Sequence, residues 1–196
     1  MGTPLLRNFE PTVLTKQNIP GWTDLIGSAG SAAAGAAAPA ITSFGVHRLE
    51  VWAINDSKTF VYHVPHTYTP STVVYPHVHW RALTANPNTA QTVQFNLTYQ
   101  IARSYSRSTF SSDITISLLV NPTGFNFNEI IEATTIQAIP ATLIETDGLI
   151  MITCTRVTPV SGTSYTGNVV IDYVDIHFQD DGLSTTTRNF PFTKVI

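Results

Sequence analysis

Thr92-Val93-Gln94-Phe95-Asn96-Leu97-Thr98-Tyr99-Gln100-Ile101-Ala102-Arg103 is the stretch that decides the fold. From Val93 to Tyr99 every odd position is apolar and every even position polar. Side chains alternate across a strand, so this is a strand with one face in a core and one face out. Seven more runs rich in Val, Ile, Thr, Phe and Tyr flank it: 44–54, 58–64, 73–83, 114–120, 130–139, 149–157 and 167–179. Turn chemistry separates them at Asn55-Asp56, Asn86-Pro87-Asn88, Asn121-Pro122-Thr123-Gly124, Asp147-Gly148, Ser161-Gly162 and Asp180-Asp181-Gly182. No stretch sustains a helical period, although Asn128-Glu129-Ile130-Ile131-Glu132-Ala133 also suits the start of a short helix. About eight strands without βαβ alternation predict an all-β fold, a jelly-roll β-sandwich, in preference to an up-and-down barrel.

The first forty residues differ from this body. Pro4, Pro11 and Pro20-Gly21 interrupt residues 1–26, and Trp22-Thr23-Asp24-Leu25-Ile26 offers one short apolar anchor. Residues 27–40, GSAGSAAAGAAAPA, carry too many glycines for a stable helix. The predicted division is therefore an extended, largely irregular N-terminal arm and connector over 1–40 and a sandwich over 41–196. The arm suits a neighbouring subunit and its own domain equally well.

Charged residues make up only 12% of the 196-residue chain, and the net charge is −3 with no basic run. Nucleic acid is thus not an expected partner. No run reaches the length of a membrane span, and the first ten residues lack the pattern of a secretory signal, so a soluble protein made in a cytoplasm is expected. A weakly charged β surface suits a protein covered by copies of itself. The single cysteine, Cys154, lies in a strand-like run and is expected to be a small buried side chain.

Four of the six histidines fall between Tyr62 and Trp80, in Tyr62-His63-Val64-Pro65-His66-Thr67-Tyr68 and Val74-Tyr75-Pro76-His77-Val78-His79-Trp80. His77 and His79 share a strand face, and Asp175 and His177 share another, so a metal centre is one reading. Against it, no acidic residue follows His79 as in metal-binding cupins, and Arg81 falls on the same face. No nucleophile elbow is present, and nothing in the sequence brings Glu50, Asp56 or Glu145 together as a carboxylate pair. The favoured reading has no catalytic residue, metal or cofactor. His63, His66, His77, His79, Asp175 and His177 then form one buried polar cluster tying loops to the sandwich, with Pro65 and Pro76 marking where strand pairing stops.

With those residues quoted, the chain resembles a family of tailed-bacteriophage virion structural proteins. The resemblance lies in Tyr62-His63-Val64-Pro65-His66-Thr67-Tyr68-Thr69-Pro70-Ser71-Thr72 and His77-Val78-His79-Trp80. It extends to Asp175-Ile176-His177-Phe178-Gln179-Asp180-Asp181-Gly182, and to Thr186-Thr187-Arg188-Asn189-Phe190-Pro191-Phe192 with Arg188-Asn189 in transposed order. It implies a jelly-roll protein that is not an enzyme, assembled in the host cytoplasm onto the virion. The implied station is the capsid surface, as a homo-oligomeric (trimeric) decoration or cement protein bound to the major capsid protein. A tail or neck adaptor, or a fibre or spike touching host glycans through Tyr68, Tyr75 and Trp80, is the alternative. A metal-dependent, cupin-like jelly-roll enzyme is a minor third.

Overall fold

The computed structural model describes residues 20–32, 34–83, 90–105, 108–183 and 185. Residues 1–19 of the expected arm, the turn at Asn86-Pro87-Asn88 and the motif at 186–192 lie outside them.

Twelve strands appear among the described residues: β1 Gly21–Ile26, β2 Ser28–Ala29, β3 Ala40–Phe44, β4 His47–Trp52, β5 Ser57–His63, β6 Tyr75–Ala82, β7 Gln91–Ala102, β8 Ile114–Val120, β9 Glu129–Glu132, β10 Leu149–Val157, β11 Thr163–Ser164 and β12 Val169–Asp180. They form two six-stranded sheets. One runs β3-β4-β12-β6-β9 with β1 beside β12, and the other β11-β7-β10-β5-β2 with β8 beside β7. Eight principal strands are thus divided between the sheets as β4-β12-β6-β9 and β5-β10-β7-β8. That order is the jelly roll, two interlocked Greek keys, as the sequence predicts. Ile130 and Ile131 belong to β9, so the helical option at 128–133 gives way to a strand paired with β6 from His77↔Glu132 to Trp80↔Glu129.

The alternation seen in the sequence sets the core. Phe95, Leu97, Tyr99 and Ile101 of β7 face inward and meet Ile150, Ile152 and Cys154 of β10 and Val78, Trp80 and Ala82 of β6, all buried. Trp80 and Phe95 meet edge to face across the sandwich, centroids 5.7 Å apart. Each fully buried side chain of this size contributes about 1.5–3 kcal/mol. Cys154 is wholly buried as expected, and burial pushes its thiol pKa up, away from the reactive thiolate. The outer face of the β5-β10-β7-β8 sheet carries a row of hydroxyls. Thr59, Thr153, Thr98 and Thr115 stand in register across its four strands, with Oγ1 contacts of 2.9 Å (Thr59–Thr153) and 2.8 Å (Thr98–Thr115).

Residues 21–29, within the expected irregular arm, are strands packed on their own sandwich. β1 adds to β12 from Gly21↔Asp180 to Ile26↔Asp175, and β2 pairs with β5 in the other sheet. Gly27 is the joint between the sheets and lies flat on the Tyr62 ring. A Cβ there would stand 2.5 Å from that ring. Pro65 follows β5 as expected, whereas Pro76 lies inside β6 opposite Ile176, its carbonyl accepting from the Ala133 N–H at 2.9 Å. Pairing therefore does not stop at Pro76.

Candidate functional site

β6 alternates through the sheet, so Val78 and Trp80 enter the core while His77 and His79 stand on the outer face. β12 does the same with Val174, Ile176 and Phe178 inside and Asp175 and His177 outside. Register then brings the polar set together. Asp175 is opposite His77, Tyr173 opposite His79, His177 opposite Asp24 of β1, and His77 opposite Glu132 of β9. Four strands converge on one spot of the outer surface.

His77 Nε2 lies 2.8 Å from Asp175 Oδ1, 3.1 Å from His79 Nε2 and 4.0 Å from Asp24 Oδ1. His79 Nε2 is 3.6 Å from Asp175 Oδ2. His177 stacks beside His77 with centroids 3.9 Å apart, reaches Asp24 Oδ1 through Nε2 at 2.8 Å and contacts Glu132 through Nδ1. Two members are buried despite facing outward: His77 is 0% exposed and Asp175 4%. Burial by itself presses His77 toward the neutral imidazole. The adjoining Asp175 carboxylate, with the Tyr75 carbonyl and Asp24, outweighs it, so the pKa stands above the ordinary histidine value. Arg81, on the same face, is held by Asp172 at 2.9 Å.

The six residues expected in one cluster therefore form two groups. His77, His79, Asp175 and His177 meet as described. His63 and His66, on the exit of β5, instead gather round Asp147: His63 Nε2 is 2.5 Å and His66 Nε2 3.7 Å from its Oδ1, and His66 Nδ1 also meets Thr185 Oγ1 at 2.5 Å. His63 is exposed, not buried. The physical reason is sheet membership, since β5 and β6 lie in opposite sheets. Asp24 and Glu132 are the members that sequence reasoning missed. The signal for each was alternation: Asp24 between Thr23 and Leu25 on a strand, and Glu132 after the inward Ile131.

Two of the three aromatics expected to stack on sugars are inaccessible. Trp80 is 0% and Tyr68 1% exposed. Trp80 has core parity on β6, and the Tyr68 hydroxyl donates to the Thr72 carbonyl. Tyr75 alone reaches a surface hollow, where it meets Trp22 of β1 edge to face at 5.5 Å. That open trough of about 590 Å3 is lined by Trp22, Tyr75, Glu132, Thr134 and His177. A second, of about 510 Å3, is lined by Asp24, Ile26, His79, Arg81, Tyr173 and Asp175. The histidine–carboxylate ridge gives His177 and Glu132 to the first and Asp24, His79 and Asp175 to the second.

No protein-family model matches the sequence, and no curated protein matches it. Several solved structures are similar in chain path. CBM28, a carbohydrate-binding module specific for non-crystalline cellulose, is 13% identical with a TM-score of 0.38, covering 79% of this chain and 86% of that one. The family 11 carbohydrate-binding module from Clostridium thermocellum is 12% identical with a TM-score of 0.35, covering 87% and 92%. A cycloisomaltooligosaccharide glucanotransferase from Paenibacillus sp. is 16% identical with a TM-score of 0.36. That match covers 83% of this chain but only 18% of the enzyme. At these identities the likeness concerns the β-sandwich alone.

Proposed function

We propose that this chain is a structural protein of a tailed-bacteriophage virion, a homo-oligomeric decoration protein that binds the major capsid shell and stabilises it. The observation that carries the proposal is the outer face of the β4-β12-β6-β9 sheet. Trp22, Ile26, Ile130 and Tyr173 are each more than half exposed there, around a ridge that buries charged groups. A face of this kind is stabilised by being covered. The jelly roll, the low surface charge and the phage-like motifs at His63–Thr72, His77–Trp80 and Asp175–Gly182 support the same reading. Such a protein acts by burying area across several shell subunits, at roughly 25 cal/mol per Å2 of apolar surface, multiplied over an oligomer.

Quantitative mass spectrometry of purified virions tests this. On the order of hundreds of copies per particle is the expected result. Absence from the particle overturns it, and roughly three to a dozen copies moves the protein to the tail or neck. The Trp22–Tyr75 trough favours that second reading, as a fibre or adaptor touching host glycans. An exposed indole beside carboxylate and imidazole groups offers a sugar both a stacking platform and hydrogen bonds. Glycan binding by the isolated protein, lost in Trp22→Ala with the fold intact, is its signature.

A further inference from the structure

The geometry points to a binding site for a divalent transition-metal ion of the zinc class on the outer face of the β1-β12-β6 ribbon, formed by His77, His79 and Asp175 with Asp24 as the closing ligand. This inference rests on neither functional reading above. Donors about 2.0–2.1 Å from a tetrahedral ion stand about 3.3 Å from one another. His77 Nε2 stands 3.1 Å from His79 Nε2 and 2.8 Å from Asp175 Oδ1, while His79 Nε2 stands 3.6 Å from the other carboxylate oxygen, Oδ2, so all three residues bring a donor to one spot. Asp24 Oδ1 lies 4.0 Å from His77 Nε2 and 2.8 Å from His177 Nε2, so closing the fourth corner takes a turn of its exposed side chain toward His79 and Asp175.

Hydrogen bonding satisfies these atoms only in part. Asp175 is buried, yet its Oδ1 accepts no aligned hydrogen bond among the described residues, although His77 Nε2 lies 2.8 Å away. A buried carboxylate oxygen without an aligned donor is costly unless a cation compensates it. His77 and His79 present Nε2 to Nε2, so at least one ring has to offer its lone pair, and both do so around an ion. The neighbours hold the donors in place: His177 meets Asp24 through Nε2 at 2.8 Å, and Glu132 in turn fixes His177. Arg81 does not oppose the ion, because Asp172 already pairs with it. Two imidazoles and two carboxylates select zinc-like ions over calcium or magnesium, which take oxygen ligands. The ion would join β1 to β12 and β6 and so clasp the N-terminal segment to the sheet.

The test uses the full chain without a histidine tag, stripped with chelator and titrated with zinc chloride by calorimetry, with bound metal counted by elemental analysis. Expected are about one zinc per chain and a melting temperature raised by about 5–10 °C, with calcium and magnesium inert. Cobalt(II) in place of zinc gives the absorption bands of a low-coordinate nitrogen–oxygen site. His79→Gln weakens zinc binding by more than about 100-fold and Asp24→Asn by about tenfold, while His63→Gln leaves it unchanged. Asp24 is half exposed, so its variant keeps the fold if the histidine variant does not. The proposal is overturned if the wild-type chain takes up no zinc, if Asp24→Asn and His79→Gln bind as tightly as wild type, or if His63→Gln abolishes uptake.

Discussion

Arg156 is a cation with almost no access to water: it is 2% exposed, on β10. Its guanidinium donates to the carbonyls of Trp52 at 2.5 Å, Tyr165 at 2.7 Å and Gly167 at 2.8 Å, and lies over the Tyr165 ring. Burial lowers its pKa to about 10, with Tyr165 and Asp56 opposing the shift, so it remains charged at neutral pH. The fork gathers the end of β4 and the loop before β12 onto one side chain. Arg156→Met leaves three buried acceptors without donors and is expected to cost about 3–5 kcal/mol, read from urea midpoints. Arg156→Lys should recover only part of this, because an ammonium cannot present a planar fork to three separated carbonyls. Nothing in Thr153-Cys154-Thr155-Arg156-Val157 announces that role. The sequence shows an arginine at an inward-facing position, but not that Trp52 at the end of β4 and the turn through Tyr165 and Gly167 would bring their carbonyls to it.

At the scale of elements, most of the sandwich was legible. The eight principal strands follow from alternation and turn residues, and the shared face of His77 and His79 follows from strand parity. Contacts between strands depend on register and sheet order, and neither is written locally. His63 and His66 look adjacent to His77 in sequence, yet they leave β5 in the opposite sheet. Asp24, some 150 residues from His177, becomes its direct neighbour. The β1–β2 segment was hidden because Pro20, Gly21 and the alanine-rich run look like a linker, while the partner of β1 is β12, some 150 residues on, and that of β2 is β5 in the other sheet. Its attachment depends on Gly27. With an alanine there, the new methyl overlaps the Tyr62 ring, whose hydroxyl is tied to the Val174 carbonyl at 2.6 Å and cannot swing away cheaply. Gly27→Ala is therefore expected to destabilise by about 1–3 kcal/mol and to speed amide exchange across Trp22–Ile26 while β7 and β10 stay protected. Unchanged exchange over β1 would mean that the ring, and not the strand, gives way.

For the molecule as a whole, the two outer faces differ in kind. One carries a row of four threonines, with Leu119 and Leu149 part-exposed beside it. The other carries Trp22, Ile26, Ile130 and Tyr173 around the histidine ridge, on a chain with few charges to keep copies apart. If that second face is where copies meet, Ile26→Glu with Ile130→Glu should reduce the mass measured by light scattering to that of a monomer. Both residues are exposed, so the melting temperature of the monomer should hardly change. A wild-type chain that is monomeric at high concentration would place its covered face against another protein. Ile26 stands opposite Asp175 and Ile130 opposite His79, so the mass is measured on chelator-treated protein to keep assembly apart from the ridge.

The pairing of β1 with β12 also decides how the molecule bears load. Gly21 sits opposite Asp180, so the start of β1 and the finish of β12 lie at the same end of the same ladder. A pull between those two ends opens the ladder as a zip, one rung after another, instead of shearing its rungs together. Gly21, Trp22 and Thr23 part first, and the fourth rung is Asp24 against His177. Whatever grips the ridge there is the catch of the zip.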